Sequence, residues 1–217
     1  MSSRCSWGQP PQRIARALHR ALTREKNLTY IALGPLTNLA ALQNSYPQQA
    51  RRIKRVILVG GQADAADLVL GPRGWPRIHD ANIFKDPAAA QQVLRSGIPI
   101  TLAPVAAVSR VRLGRDDWQR ITSGPAGDYL RPRTRAWVQF WSSVSGAEGG
   151  PLFDVLPILA AARPDLVPHD SRYAGTDAAG NLLIGSTRSA GAVRVRVLQP
   201  PGPAARHLFL KRLAADR

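Results

Sequence analysis

Asp80, Asn82 and Asp154 are the side chains whose types and settings best suit work on a small polar ligand. Asp80 and Asn82 stand two residues apart after a long loop, and in extended chain such residues point to one side. A carboxylate accepts hydrogen bonds and an amide both donates and accepts, so the pair is suited to gripping sugar hydroxyls. The same two residues could simply organise the turn before the helix that Asp86-Pro87 opens, and spacing alone leaves both readings standing. Asp154 follows Gly149-Gly150-Pro151-Leu152-Phe153 and precedes an apolar run, the setting of an N-cap. Pointing inward between Phe153 and Val155, it would instead need a cation or hydroxyls as partners. Asp86 reads as a helix cap. Trp137 and Trp141, four apart with Phe140 beside them, share a helix face that could stack on a purine or pyrimidine ring, although such stripes more often pack against a sheet. The four histidines, at 19, 79, 169 and 207, have no metal-ligand spacing, and there is no phosphate loop, serine elbow or cysteine pair. Zinc and triad chemistry are therefore not expected.

The elements that must position these residues alternate regularly in the first half. Over 12–24, Ile14, Leu18, Ala21 and Leu22 fall at helical spacing between arginines, which predicts an amphipathic surface helix. A short apolar strand over 28–33 is stopped by Gly34-Pro35. Helical spacing returns over 39–52 with a break at Tyr46-Pro47, and a buried strand over 56–59 ends in Gly60-Gly61. The loop over 62–79 is long for a structureless connection, as functional loops often are. A helix then runs from Asp86-Pro87 to Arg95, Gly97 closes it, and a third strand covers 98–105. Strand alternating with helix predicts an α/β fold with a mostly parallel sheet flanked by helices, in one domain over 1–217. Ligands of such sheets sit beyond the carboxyl ends of the strands, where Leu33-Gly34, Gly60-Gly61 and Asp80-Ala81-Asn82 fall. The second half predicts helices over 115–123, 127–143 and 152–162, the last containing Pro157. Val193, Val195 and Val197 alternate with arginines as a strand with one wet face, and 182–184 is expected to pair with it across a turn at 186–191. A short helix over 207–214 ends the chain, and no internal repeat is present.

Composition sets the outer limits. A chain of 217 residues with 44% hydrophobic content supports one compact core. The net charge of +16 is almost all arginine, since the only lysines are Lys26, Lys54, Lys85 and Lys211. A GC-rich coding bias gives that pattern without selection for a polyanion, and no nucleic-acid-binding motif is present, so nucleic acid is not the expected partner. The lone Cys5 excludes an internal disulfide framework. No run approaches the roughly 18 apolar residues of a membrane span, and residues 1–11 lack the features of a secretory signal, which makes a cytoplasmic location without a membrane partner the default expectation.

Taken in order, Ile31-Ala32-Leu33-Gly34-Pro35-Leu36-Thr37-Asn38-Leu39-Ala40, Arg55-Val56-Ile57-Leu58-Val59-Gly60-Gly61, Asp80-Ala81-Asn82 with Asp86-Pro87-Ala88-Ala89-Ala90, and Leu152-Phe153-Asp154 resemble the inosine-uridine-type nucleoside hydrolase family. The order and gaps fit over 30–166. Asp80 in place of a usual glutamate, and Phe153 where many members have histidine, look like a divergent branch. The resemblance implies a Rossmann-like nucleoside hydrolase fold. It implies hydrolysis of the N-glycosidic bond of ribonucleosides, with one calcium ion assisting the attack of water. By position, the Leu33 carbonyl and the Asp154 carboxylate would be calcium ligands, and Asp80 and Asn82 would hold the ribose with Asp154 sharing that task. The family opens with an Asp-x-Asp-x-x-x-Asp-Asp cluster that supplies the general base and most of the calcium charge, and nothing before Tyr30 resembles it. The expectation is therefore a chain truncated at its N-terminus, with poor calcium affinity, no catalytic base and no hydrolysis of its own. Asp64 and Asp67 lack the spacing to substitute, and Ala81, in place of a usual phenylalanine, loosens one pocket wall. An unpaired sheet edge and self-association into a homo-oligomer would follow. The alternatives are a non-catalytic remnant that binds ribosides or a protein partner and, ranked below it, an arginine-rich nucleic-acid binder for which charge alone speaks.

Overall fold

The computed structural model describes residues 11–63, 68–69, 77–120 and 125–214. The first half runs α1 (Pro11–Arg24), β1 (Thr29–Ala32), α2 (Thr37–Ser45), α3 (Pro47–Ala50), β2 (Arg55–Val59), β3 (Leu68–Val69), β4 (Arg77–Ile78), α4 (Ala81–Phe84), α5 (Pro87–Leu94) and β5 (Ile100–Ala103). It continues through α6 (Val105–Val108), β6 (Arg112–Leu113), α7 (Arg115–Arg120), α8 (Pro125–Ser145), β7 (Gly150–Pro151) and α9 (Val155–Ala162). A 3-10 turn at Pro164–Leu166 leads to β8 (His169–Thr176), β9 (Leu182–Gly185), β10 (Val193–Leu198) and α10 (Pro203–Ala214).

The main sheet has the order β1-β2-β5-β10-β8-β9. Its first four strands are parallel, β8 runs antiparallel to β10, and β9 runs antiparallel to β8. Residues 182–184 do not pair with 193–197 as the alternation suggested. They pair with His169–Thr176, which lies between the two and bonds to both. That strand has few apolar residues (HDSRYAGT), and only Ala174 is buried, so its period is silent in the sequence. The strand expected to reach 105 ends at Ala103, because Pro104 turns the chain into α6. The helix expected over 39–52 is broken at Tyr46, which caps α3 ahead of Pro47. Pro157 sits in the first turn of α9, where a missing N–H costs little. The helix expected over 115–123 is observed over Arg115–Arg120, with 121–123 outside the described residues, and the last helix starts earlier than expected. Within 62–79 the described parts form the antiparallel pair β3-β4. Asp64, Asp67 and Cys5 lie outside the described residues.

Two hydrophobic layers flank the sheet. Val56, Leu58, Ile100, Leu102, Val195 and Val197 share a core with Leu22 of α1, Leu39 and Leu42 of α2 and Val93 of α5. On the opposite face Ile57, Val59, Ala103 and Leu198 share one with Val108, Leu156, Leu159 and Ala205. The period of two thus assigns alternate residues of each parallel strand to different layers. A further contact ties the edge strand β9 back to the segment that follows β2. Just past β2, the Gln62 N–H donates to the Leu182 carbonyl at 3.0 Å and the Ile184 N–H donates to the Gln62 carbonyl at 2.8 Å.

Candidate functional site

Parallel pairing of Ala32 with Leu58 sets Leu33 level with Val59, one strand spacing of about 4.8 Å away. Asn82 reaches the same place, for its Nδ2 donates to the Val59 carbonyl at 3.0 Å. Asp80 is anchored beside it by the Gly61 N–H, which donates to Oδ2 at 2.6 Å. Leu33, Asp80 and Asn82 are thereby gathered at the carboxyl ends of β1 and β2, where α/β sheets bind ligands.

The local conformation differs from the extended one inferred from spacing. Asp80 is the N-cap of α4 and Asn82 lies inside that helix. Oδ1 of Asp80 accepts from the N–H groups of Asn82 at 3.2 Å and Ile83 at 3.4 Å. A carboxylate has about four lone-pair sites, and these three donors engage three of them while Asp80 organises the turn. Asn82 keeps its carbonyl oxygen and its second amide hydrogen. Asp80 is 8% exposed, and this burial pushes its carboxyl above the ordinary aspartate range against the pull of the three backbone donors. Glycine is required at the strand end. A Cβ on Gly60 would lie 3.0 Å from Asp80 Oδ2, and one on Gly61, at φ +96°, would lie 2.8 Å from Ile184 Cδ1. Sequence reasoning read Gly60-Gly61 as a strand end near which ligands of such sheets sit. The role of the Gly61 N–H as a donor to Asp80 had no local signal.

Asp154 stands at the N-cap position of α9, but its side chain makes no capping hydrogen bond. The plain capping role is therefore unfilled, whereas Asp86 caps α5 as expected, accepting from the Ala89 N–H at 3.0 Å and from the Thr37 hydroxyl at 2.5 Å. Partial desolvation raises the Asp154 carboxyl above its ordinary value although the residue is exposed. The helix it heads packs against β1 and β2.

An aromatic wall stands next to Asp154 in the chain. Phe153 makes edge contacts with Trp137 at 6.4 Å and Trp141 at 5.9 Å between ring centroids, and the two tryptophans meet at 5.5 Å. Trp141 is buried, as the packing reading expected, with no partner for its Nε1. Trp137 is 39% exposed and Phe140 56%, so part of the wall faces outward. Trp137 Nε1 donates to the Pro151 carbonyl at 2.9 Å. Arg112 holds the preceding turn, donating to the carbonyls of Glu148 at 2.8 Å and Gly149 at 2.6 Å. These contacts fix the segment that delivers Phe153 and Asp154.

Calcium takes six to eight oxygen ligands, several of them carboxylate. Among the described residues no group of three His, Cys, Asp or Glu side chains is placed to hold a metal. Leu33 offers one carbonyl, Asp154 one carboxylate, and Asp80 is mostly committed to backbone donors. This donor set does not fit a calcium site.

The sequence pattern of the inosine-uridine preferring nucleoside hydrolases matches residues 4–205. The chain belongs to that family. The match extends beyond the 30–166 stretch covered by the motifs, into both flanks. The pyrimidine-specific ribonucleoside hydrolase of Citrobacter koseri is 29% identical over 163 residues, covering 74% of this chain and 50% of that protein. Its namesake from an Enterobacter strain is 30% identical over 168 residues, covering 75% and 51%. The chain thus spans about half the length of the curated relatives it matches. In solved structures the fold recurs in a plant nucleoside hydrolase (TM-score 0.80, 22% identity, 99% of this chain and 70% of that one). It also recurs in a purine-preferring ribonucleoside hydrolase from Gardnerella vaginalis (TM-score 0.77, 23% identity, 92% and 65%). The nucleoside hydrolase-like fold expected from the motifs is therefore established. No helix among the described residues is long and apolar enough to cross a membrane.

Proposed function

We propose that this chain carries the ribose-holding part of a nucleoside hydrolase site and binds ribonucleosides without hydrolysing them on its own. The observation that carries this reading is Asp154. It is a carboxylate at a helix start that caps nothing, whose charged form is disfavoured, beside an outward-facing aromatic wall. Vicinal ribose hydroxyls donating to Asp154 would supply the hydrogen bonds that the helix does not. Asn82 and the free lone pair of Asp80 would take a further hydroxyl, and the edge of Trp137 would meet the base.

Hydrolysis of a nucleoside breaks the bond between C1′ and the base nitrogen. The base leaves with the electron pair, the ribose passes through an oxocarbenium-like state, and water bonds to C1′ and gives up a proton. Residues that grip a distorted ribose lower this barrier, and a carboxylate must also take the proton from water. Of the two described candidate carboxylates, Asp80 is engaged by three N–H groups, whereas Asp154 makes no capping bond. One carboxylate gripping ribose cannot also act as the base. Calcium, cited for the family, remains an expectation that this donor set does not support.

Calorimetric titration of the 217-residue chain with uridine and inosine, beside a ribose-release assay with calcium and with chelator, tests the reading. The expected result is saturable binding, weakened at least about tenfold by Asp154→Asn through loss of a charged hydrogen bond, with no ribose released. Absence of binding overturns the proposal. Calcium-dependent release that Asp154→Ala abolishes overturns its non-catalytic half.

A further inference from the structure

The helices over the Ile57-Val59-Ala103-Leu198 face share a core with its carboxyl half, and the amino half of the same face has a different lining. There a cleft of about 420 Å³ is lined by Lys54, Arg55, Thr101, Ser171, Arg194 and Arg196, with no carboxylate among its lining residues. The sheet register explains the gathering. Arg196 pairs with Thr101 on one side and Ser171 on the other, so the three side chains share a face, and Arg194 joins them two residues away. Arg55 lies on β2, two strands across, on the face of Ile57. Among the described residues none of the four cations is in an ion pair, and Arg55 Nε donates to Thr29 Oγ1 at 3.2 Å. The neighbouring carboxylate Asp170 belongs to the other face, pairing with Val197 and bonded to Arg172.

We propose that this amino-end face binds single-stranded nucleic acid through its phosphates. Arg194, Arg196 and Arg55 define a triangle of about 7 Å along β10, two residues of strand, by about 10 Å across two strand spacings, and Lys54 adds a charge beside Arg55. One phosphate reaches one edge of such a triangle, whereas a chain of phosphates follows it. Tyr173 pairs with Arg194 on the same face, and its other neighbour across the sheet is Gly185, which has no side chain, so its ring is placed to stack on a base. The sequence set nucleic acid aside because no motif was present and charge alone spoke. The sheet register adds an aromatic side chain and hydroxyls at fixed positions among the cations. This surface lies at the end of the strands away from Asp80 and Asn82 and is independent of the ribose reading.

The test is fluorescence anisotropy of a labelled 15-nucleotide oligothymidylate with the full chain, repeated from about 50 to 200 mM salt. Arg194→Ser with Arg196→Ser is compared with Arg13→Ser with Arg16→Ser, an exposed pair on α1 that removes the same charge. The expected result is at least tenfold weaker binding and a salt slope lower by about 2 for the β10 pair only. Arg194→Lys with Arg196→Lys should bind as the parent does, which separates charge from a folding defect. Tyr173→Leu should weaken the oligonucleotide about fivefold or more while leaving inorganic tripolyphosphate unaffected. Equal weakening by the two arginine pairs overturns the site. Tripolyphosphate binding as tightly as the oligonucleotide, with no effect of Tyr173→Leu, overturns the nucleic-acid assignment.

Discussion

Replacing Asp80 by alanine removes three hydrogen bonds at once, and their worth follows from where each donor lies. The bonds from Asn82 and Ile83 cap α4, and losing an N-cap costs about 1 kcal/mol. The bond from Gly61 is buried and short at 2.6 Å, and leaving that N–H unsatisfied costs about 1–3 kcal/mol. Their sum, about 2–4 kcal/mol, is a large part of the roughly 5–15 kcal/mol that holds a domain folded. For a chain of this size it corresponds to a fall in Tm of about 4–16 °C. Urea unfolding followed by circular dichroism measures it, with an unchanged m-value showing that the unfolded state is not involved. Asp80→Asn keeps one acceptor oxygen and should lose about half as much. A loss below about 1 kcal/mol for the alanine variant would mean that water reaches Gly61 in place of the carboxylate, and the structural role assigned to Asp80 would be wrong.

Because burial raises the Asp80 carboxyl above its unfolded value near 3.9, the protonated form is favoured on folding. Its stabilising contribution is complete below that value and is lost as pH rises through the folded pKa, so the stability of the parent should fall relative to Asp80→Asn as pH rises above about 4. Asp154 is raised by the same cause and should act with the same sign, which an Asp154→Asn titration checks. Gly61→Ala places a Cβ 2.8 Å from Ile184 Cδ1 at a φ of +96° and should cost about 1–3 kcal/mol in thermal or urea unfolding. Arg112→Lys cannot reproduce the fork to the Glu148 and Gly149 carbonyls and should cost about 1–2 kcal/mol, with greater exposure of Trp137 to acrylamide quenching.

The parallel half of the fold was legible because its strands are buried on both faces and its helices keep a clear period, so residues 12–103 read almost element by element. The antiparallel end was not. His169–Thr176 is a strand because β10 and β9 pair with it on either side, and its own residues alternate too weakly to announce it. The site divided in the same way. Asp86 declared its capping role locally, whereas the partner of Asp80 lies 19 residues away at Gly61 and could emerge only once β2 was placed beside α4. Asp154 looked like a cap from its neighbours. The αR backbone at that position, φ −92° and ψ −4°, leaves the side chain without a capping bond, and no spacing rule foretells it.

The two hydrogen bonds at Gln62 close a circuit. From β2 the ladder passes through β5, β10, β8 and β9, and through Leu182 and Ile184 it returns to the residue that follows Gly61. The backbone N–H that fixes Asp80 is therefore clasped between strands separated by more than a hundred residues of chain. Amide exchange at Gly61 and at Ile184 should proceed with one common opening energy, since neither strand can leave the ring without releasing the other. The Asp80 carboxylate at one end and the late hairpin at the other thus belong to a single cooperative unit, and loosening the hairpin loosens the anchor of Asp80.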